Sequence, residues 1–293
     1  MFTSLNARAL GLSLDAGETI TLAAREGFGG VDLLVRDVVE RGDDPALLRR
    51  KMDDLGLVGG AWPLPVSWRD GRETFERDLA NLPRLAGVAA TLGLSRTGTW
   101  VLPALPVYGS SVEDQYAAAV RLHVERLTAI ANVLAVEGIR LGLEVIGVES
   151  SRQGLGEPFV HRLADLDRVL DGLWDLVPNL GILLDGFHLY AAGETLEQGL
   201  AWGVGRIVWV HVADLPATSS PARSAILDHE RGLPGEHPAV GTAALLAGLH
   251  ANGYEGPVTA EPWGNCRQFR GQDPSRVVAI TAAALRSVWP STR

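Results

Sequence analysis

The sequence predicts an α/β fold: a single domain over residues 1–293, closed as a (β/α)₈ barrel. Three observations predict it. Short apolar runs alternate with longer helix-patterned segments along the whole chain, and eight such pairs can be drawn without a long linker. Glycine follows several helical segments, at Gly27, Gly56, Gly93, Gly138 and Gly253, where a helix C-terminus calls for a left-handed residue. No G-x-G-x-x-G or Walker sequence follows an early strand, as an open nucleotide-binding sheet would require.

The strands are expected at residues 4–6, 31–35, 57–62, 98–102, 140–145, 181–185, 207–211 and 258–261. Most are short apolar runs, and Gly or Pro lies near the joins. The helices are expected at 19–26, 45–55, 73–92, 112–137, 159–174, 195–202, 242–252 and 275–289. The first carries Ile20, Ala23 and Ala24 on one face, and Asp44 is placed to cap the second. The third and fourth are long and amphipathic. Residues 213–241 are rich in Pro and Ser and read as an irregular loop after the seventh strand, on the face where barrel active sites lie.

Composition narrows the function. Hydrophobic residues make up 46% of the chain and charged residues 21%, an ordinary globular balance. The net charge of −9 and the lack of any basic run longer than Arg49-Arg50-Lys51 argue against nucleic acid as a partner. The single cysteine, Cys266, permits no internal disulfide and has no neighbour that marks it as a nucleophile. Residues 1–15 lack a signal-peptide pattern, and no run of about 18 apolar residues could span a membrane. The expected location is cytoplasmic.

The chemistry is expected at the ends of the last four strands. Leu141-Gly142-Leu143-Glu144, Ile182-Leu183-Leu184-Asp185, Val208-Trp209-Val210-His211 and Val258-Thr259-Ala260-Glu261 are four apolar runs, each ending in a metal-competent side chain. In a parallel barrel these ends converge on one rim. Three carboxylates gathered there repel one another, and a divalent cation resolves the repulsion. Two Glu, one Asp and one His form an oxygen-rich set that suits Mn²⁺ first, with Mg²⁺ or Co²⁺ as alternatives. About two positions of an octahedron stay open for adjacent oxygens of a substrate. His188, three residues past Asp185, is placed near the metal as a substrate contact. Arg231, in the long loop, is placed to neutralise an oxyanion or to pair with a loop carboxylate. Trp62, Trp68, Trp100 and Trp263 fall at or just past strand ends, where aromatic rings could stack on sugar faces or pack the rim.

At these residues the chain resembles the sugar phosphate isomerase/epimerase superfamily, the xylose-isomerase-like TIM barrels that include ketose 3-epimerases and inosose dehydratases. The resemblance is carried by Leu143-Glu144, Leu184-Asp185-Gly186-Phe187-His188, Val210-His211-Val212-Ala213-Asp214, Leu233-Pro234-Gly235-Glu236, Gly253-Tyr254-Glu255-Gly256 and Glu261-Pro262-Trp263. It implies that Glu144, Asp185, His211 and Glu261 bind the metal, that Glu144 and Glu261 are the acid–base pair, and that His188 and Arg231 contact substrate. It departs at Val145-Ile146-Gly147-Val148-Glu149-Ser150, where those epimerases usually carry an Asn-Arg element and a further Glu.

The expected activity is a divalent-metal-dependent isomerase or epimerase acting on a keto-sugar or related polyhydroxylated carbonyl compound through a cis-enediolate. A lyase using the same metal and Glu base, of the inosose dehydratase or 3-oxo-glycoside-cleaving kind, is the alternative. An endonuclease IV-like nuclease would need histidines on early strands, yet the first histidine is His123 in an expected helix. A non-catalytic subunit would not need the intact four-residue set. No motif selects between a homodimer and a partner subunit.

Overall fold

The computed structural model describes residues 1–105 and 111–291. Its strands are β1 Phe2–Asn6, β2 Gly30–Asp32, β3 Val58–Gly59, β4 Trp62–Pro63, β5 Arg96–Trp100, β6 Arg140–Glu144, β7 Leu180–Asp185, β8 Ile207–Val212 and β9 Pro257–Ala260. They form one sheet in the order β3-β2-β1-β9-β8-β7-β6-β5-β4, and every pair of neighbours runs parallel. The two end strands, β3 and β4, are separated in the chain only by Gly60 and Ala61, so segment 58–63 joins the ends of the curled sheet. This is the single barrel domain the alternation predicts.

The helices are α1 Ala16–Glu26, α2 Val35–Arg41, α3 Pro45–Asp54, α4 Arg72–Leu92, α5 Val112–Ala135, α6 Leu163–Val169, α7 Leu173–Leu176, α8 Gly186–Ala191, α9 Leu196–Leu200, α10 Thr242–Ala251 and α11 Pro274–Val288. Local chemistry sets their ends. Asp15 and Glu18 close a reciprocal capping box on α1, and Gly27 ends that helix at φ 76°. Asp44 accepts from the Ala46 and Leu47 amides ahead of α3, and Asp273 accepts from the Arg276 amide ahead of α11. Among the described residues, no helix is long and apolar enough to cross a membrane.

Three expectations need correction. The third strand, expected unbroken at 57–62, is two short ladders. Asp32, buried at the end of β2, takes the Ala61 amide at 2.8 Å and the Ser4 hydroxyl at 2.6 Å, so a side chain replaces a ladder partner at the break. The strand expected to run to residue 35 stops at Asp32, and α2 begins at Val35. The helix expected at 159–174 is α6 and α7, interrupted by Gly172 at φ 75°; Phe159 and Val160 instead donate to the carbonyls of Pro103 and Leu102.

The interior explains two positions that matter for the site. Ala61, Leu183 and Trp209 cluster inside the barrel. A Cβ on Gly98 would stand 2.7 Å from Leu183 Cδ1 and 3.1 Å from Trp209 Cε3, so the bare glycine makes room for the indole. The register of β7 on β8 shifts between Ile182 and Leu183, and beyond that bulge Asp185 stands opposite His211.

Gly60 has no room for a side chain either. A Cβ there would strike Asp32 Oδ1 and Ser4 Oγ and stand 3.0 Å from the Val31 carbonyl. Gly60→Ala is therefore expected to cost about 2–3 kcal/mol of stability by overpacking, read as a lowered midpoint in chemical denaturation.

Candidate functional site

Glu144 ends β6, Asp185 ends β7, His211 lies in the last turn of the pleat in β8, and Glu261 follows β9 by one residue. Each offers one ligand atom, and these atoms all lie within 4.8 Å of one another. Asp185 is fixed by capping α8: its Oδ1 accepts from the Phe187 amide at 2.7 Å and the His188 amide at 3.2 Å. The Glu261 amide donates to the Val212 carbonyl, which extends the β8–β9 register past the strand end. His211 stands edge-on to Trp209, with ring centroids 4.4 Å apart. Trp209 in turn donates to Thr259, and Thr259 to the buried Asp32.

The residues fit a cation. His211 Nδ1 is 3.2 Å from Glu261 Oε2 and 3.5 Å from Glu144 Oε1. Yet Glu144 Oε1 and both His211 ring nitrogens are buried without a hydrogen-bond partner. Polar atoms that approach this closely without bonding each other are aimed at a common point, and an unpaired buried polar atom is costly unless something occupies that point. The set of three carboxylates and one imidazole suits a divalent metal with a preference for oxygen.

Arg231 is the organising cation of this corner. It is fully buried, and its guanidinium lies 4.6 Å from the Phe187 ring centroid. Nη1 donates to Asp185 Oδ2 at 2.9 Å and Glu261 Oε2 at 3.1 Å. Nη2 donates to Asp228 Oδ1 at 2.6 Å and to His188 Nε2 at 3.0 Å, and Nε donates to Asp228 Oδ1 at 3.1 Å. A guanidinium has five N–H donors, and all are engaged here. The expectation of Arg231 as a substrate contact is corrected on that point: the loop folds back and commits every donor to the site's own residues. Because the guanidinium can only donate, His188 Nε2 is the acceptor, and a neutral His188 carries its proton on Nδ1.

Titration follows this geometry. Burial raises the Glu144 carboxyl, and the negative charges of Glu261 and Asp185 add to the rise against the pull of His211. Burial alone would raise Asp185 too, but Arg231, His188 and His211 hold it well below the usual carboxylate range. Burial alone would lower His211, but Glu261 and Glu144 override it and carry the imidazole well above 6.5.

The mouth opens into two lobes that share Trp100, Glu144, Glu261 and Trp263. One, of about 500 Å³, runs past Pro63 and Leu64 to Arg69, Arg36 and Arg8. The other, of about 380 Å³, is walled by Leu102, Pro103, Ile146 and Leu155 and reaches His188 and Arg231. Trp263 holds φ 62°, rare for a bulky residue, and its amide donates to the Ala9 carbonyl. Trp100 and Trp263 thus sit at the mouth as the sequence suggests.

Trp62 does not. It is fully buried and packs in the main core, because Ala61 takes the inward position and the next side chain points the other way. Trp68 is also buried and donates to Thr99. Glu149 lies in a short 3-10 turn outside the ligand cluster. Gly147 is where the departing segment meets the site: a Cβ there would strike the His188 carbonyl, so no side chain fits. Cys266 is buried, and burial pushes its thiol up, which disfavours the thiolate. The residue that sequence reading missed is Arg69; its only signal was an arginine just past the third strand.

With fold and site in view, the class is defined. The chain belongs to the xylose isomerase-like TIM barrel family, matched over residues 20–288. Among curated relatives, the 3-dehydroshikimate dehydratase of Pseudomonas aeruginosa is 28% identical over 282 residues, covering 92% of this chain and 39% of that protein. The chain thus spans well under half the length of that relative. A xylose isomerase domain protein from Alicyclobacillus acidocaldarius has a TM-score of 0.82 at 25% identity, covering 98% of this chain and 97% of that one. The IolI protein, solved with a bound zinc atom, has a TM-score of 0.76 at 16% identity and covers 98% of each chain, a likeness of fold.

Proposed function

We propose that this chain is a divalent-metal enzyme of the isomerase/epimerase type, which removes and returns a proton at a carbon next to a carbonyl in a polyhydroxylated substrate. One observation carries the reading: four ligand atoms within 4.8 Å at the barrel mouth, with Glu144 Oε1 and both His211 ring nitrogens buried and without a hydrogen-bond partner. Glu144, Asp185, His211 and Glu261 would hold the metal. Mn²⁺ fits the oxygen-rich set best. When bound, the metal supplies Lewis-acid polarisation of a carbonyl oxygen, which acidifies the adjacent C–H.

The rest falls to the chain's own residues. Glu144 ends β6 and Glu261 follows β9, with β7 and β8 between them in the sheet, so the two carboxylates would approach a substrate from different sides. One carboxylate takes the proton from one face of the carbon, and the other returns a proton to the opposite face. The raised Glu144 carboxyl is suited to hold a proton between these steps. His188, its Nε2 fixed by Arg231, presents Nδ1–H, which has no partner of its own, as a donor to a substrate oxygen. Trp100 and Trp263 wall the cleft.

A lyase reading has a specific observation in its favour: a relative that covers 92% of this chain is named as a dehydratase. Both reactions begin with the same proton removal. They part when the anion is either reprotonated or expels a β-substituent. Incubating the Mn²⁺-loaded protein with keto-sugars, inososes, 3-oxo-glycosides and hydroxy-keto acids in D₂O, read by NMR, tests both. Deuterium at an α carbon with inverted configuration supports the epimerase; loss of water or an aglycone supports the lyase; absence of both across the panel counts against the proposal. Chelating the metal is expected to abolish exchange, and Mn²⁺ to restore it.

Metal uptake is also expected to release protons, because His211 and Glu144 hold theirs more tightly than usual in the metal-free protein. Both groups are raised, so this proton-linked stability is present at low pH and is lost as pH rises through the folded values. Metal affinity should therefore rise as pH rises toward the raised folded value of His211, above its ordinary 6.5. Calorimetric titrations in buffers of different ionisation heat read the protons directly; an affinity flat with pH would contradict the assignment.

A further inference from the structure

We infer that Arg69 is an anchor for a carboxylate, so that the substrate is a hydroxy-keto acid rather than a neutral sugar. This rests on the reading that the four-residue cluster binds the carbonyl end.

Arg69 follows β4 and lines the same lobe as Glu144, His211 and Glu261. Its guanidinium lies 3.6 Å from the Trp100 ring centroid and 5.0 Å from that of Trp68, in contact with two indoles. Nη1 donates to Thr99 Oγ1 at 3.1 Å and to the Trp100 carbonyl at 2.6 Å. Thr99 is itself fixed by the Trp68 indole, at 3.1 Å. These contacts set the plane of the guanidinium and use only one nitrogen. Nε and Nη2 have no hydrogen-bond partner among the described residues, and no described carboxylate lies within ion-pairing distance.

The contrast with Arg231 is instructive. Arg231 is buried with three acids around it and has no free donor. Arg69 is half-buried with none, and burial lowers it to about 10 with only Asp70 opposing. A half-buried, pre-oriented fork without a protein anion leaves its free N–H groups to a ligand that enters the lobe. The free Nε–Nη2 edge matches the two oxygens of one carboxylate. One free edge on one guanidinium matches the single charge of a carboxylate, whereas a phosphate carries nearly two. Arg36 and Arg8, exposed on the rim of the lobe, add positive potential along the approach.

Three ketoses identical except at carbon 6 provide the test: D-fructose, D-fructuronate with its carboxylate, and D-fructose 6-phosphate. Each is titrated calorimetrically into Mn²⁺-loaded wild type, Arg69→Gln and Arg69→Lys, after metal uptake by each protein has been measured separately. In the wild type D-fructuronate is expected to bind at least about tenfold more tightly than D-fructose, the worth of a charge-assisted pair. Arg69→Gln should erase that preference with metal affinity unchanged, and Arg69→Lys should keep part of it. Equal binding or no binding of the two sugars, tighter binding of the phosphate, or a preference that survives in Arg69→Gln overturns the inference. A chain that takes up no metal defeats the metal reading on its own readout. The carboxylate preference is then read in the metal-free protein, with the same outcomes deciding it.

Discussion

Glu144→Gln is expected to lower proton exchange by about a hundredfold to ten-thousandfold, the range for loss of a positioned acid or base. The amide keeps the shape of the carboxylate but carries no negative charge and cannot shuttle the proton. It also removes one of three anionic ligands, so metal affinity should fall with activity. The same change relieves a burdened group: burial raises the Glu144 carboxyl, and its Oε1 has no hydrogen-bond partner. Metal-free Glu144→Gln should therefore unfold at the same temperature as the wild type or higher, while the stabilisation gained on adding Mn²⁺ shrinks. A loss of activity accompanied by a destabilised metal-free protein would point instead to a structural role.

The second large effect belongs to Arg231. Arg231→Met removes the buried partner of Asp185, Glu261 and Asp228 at once. Breaking a buried ion pair from one side leaves uncompensated charge and typically costs about 3–5 kcal/mol. That loss is expected in the metal-free protein, read by chemical denaturation. Adding Mn²⁺ should recover part of it, because a second cation then faces the same carboxylates. A loss below about 1 kcal/mol would show that the network contributes little. His188 should respond as well: without Nη2 its Nε2 is released, and the donor it offers to a substrate is no longer fixed.

The strands that carry the ligands were legible because two local rules coincide there. Apolar runs bounded by Gly or Pro mark buried parallel strands, and a barrel puts each run's last residue on one rim. Glu144, Asp185, His211 and Glu261 needed nothing else to be brought together. The misreadings depend on distant contacts. The break at Gly60 and Ala61 is made by Asp32, which lies 29 residues before Ala61. Trp62 was placed at the mouth by position alone, but Ala61 occupies the inward place, so the indole packs in the core. Arg231 was expected to meet a substrate oxyanion or a loop carboxylate; it does pair with Asp228, but nothing local shows that the loop returns to bury it against Asp185, 46 residues earlier. Arg69 was overlooked because its meaning lies in what fails to pair with it, and only the folded chain reveals that.

The central claim is that the four strand-end residues hold one divalent cation. Calorimetric titration of metal-stripped protein with Mn²⁺, for the wild type and Asp185→Asn, tests it most directly. One ion per wild-type chain is expected, with binding weakened at least about tenfold in the variant. Absence of metal uptake by the wild type, or unchanged uptake in Asp185→Asn, would contradict the account.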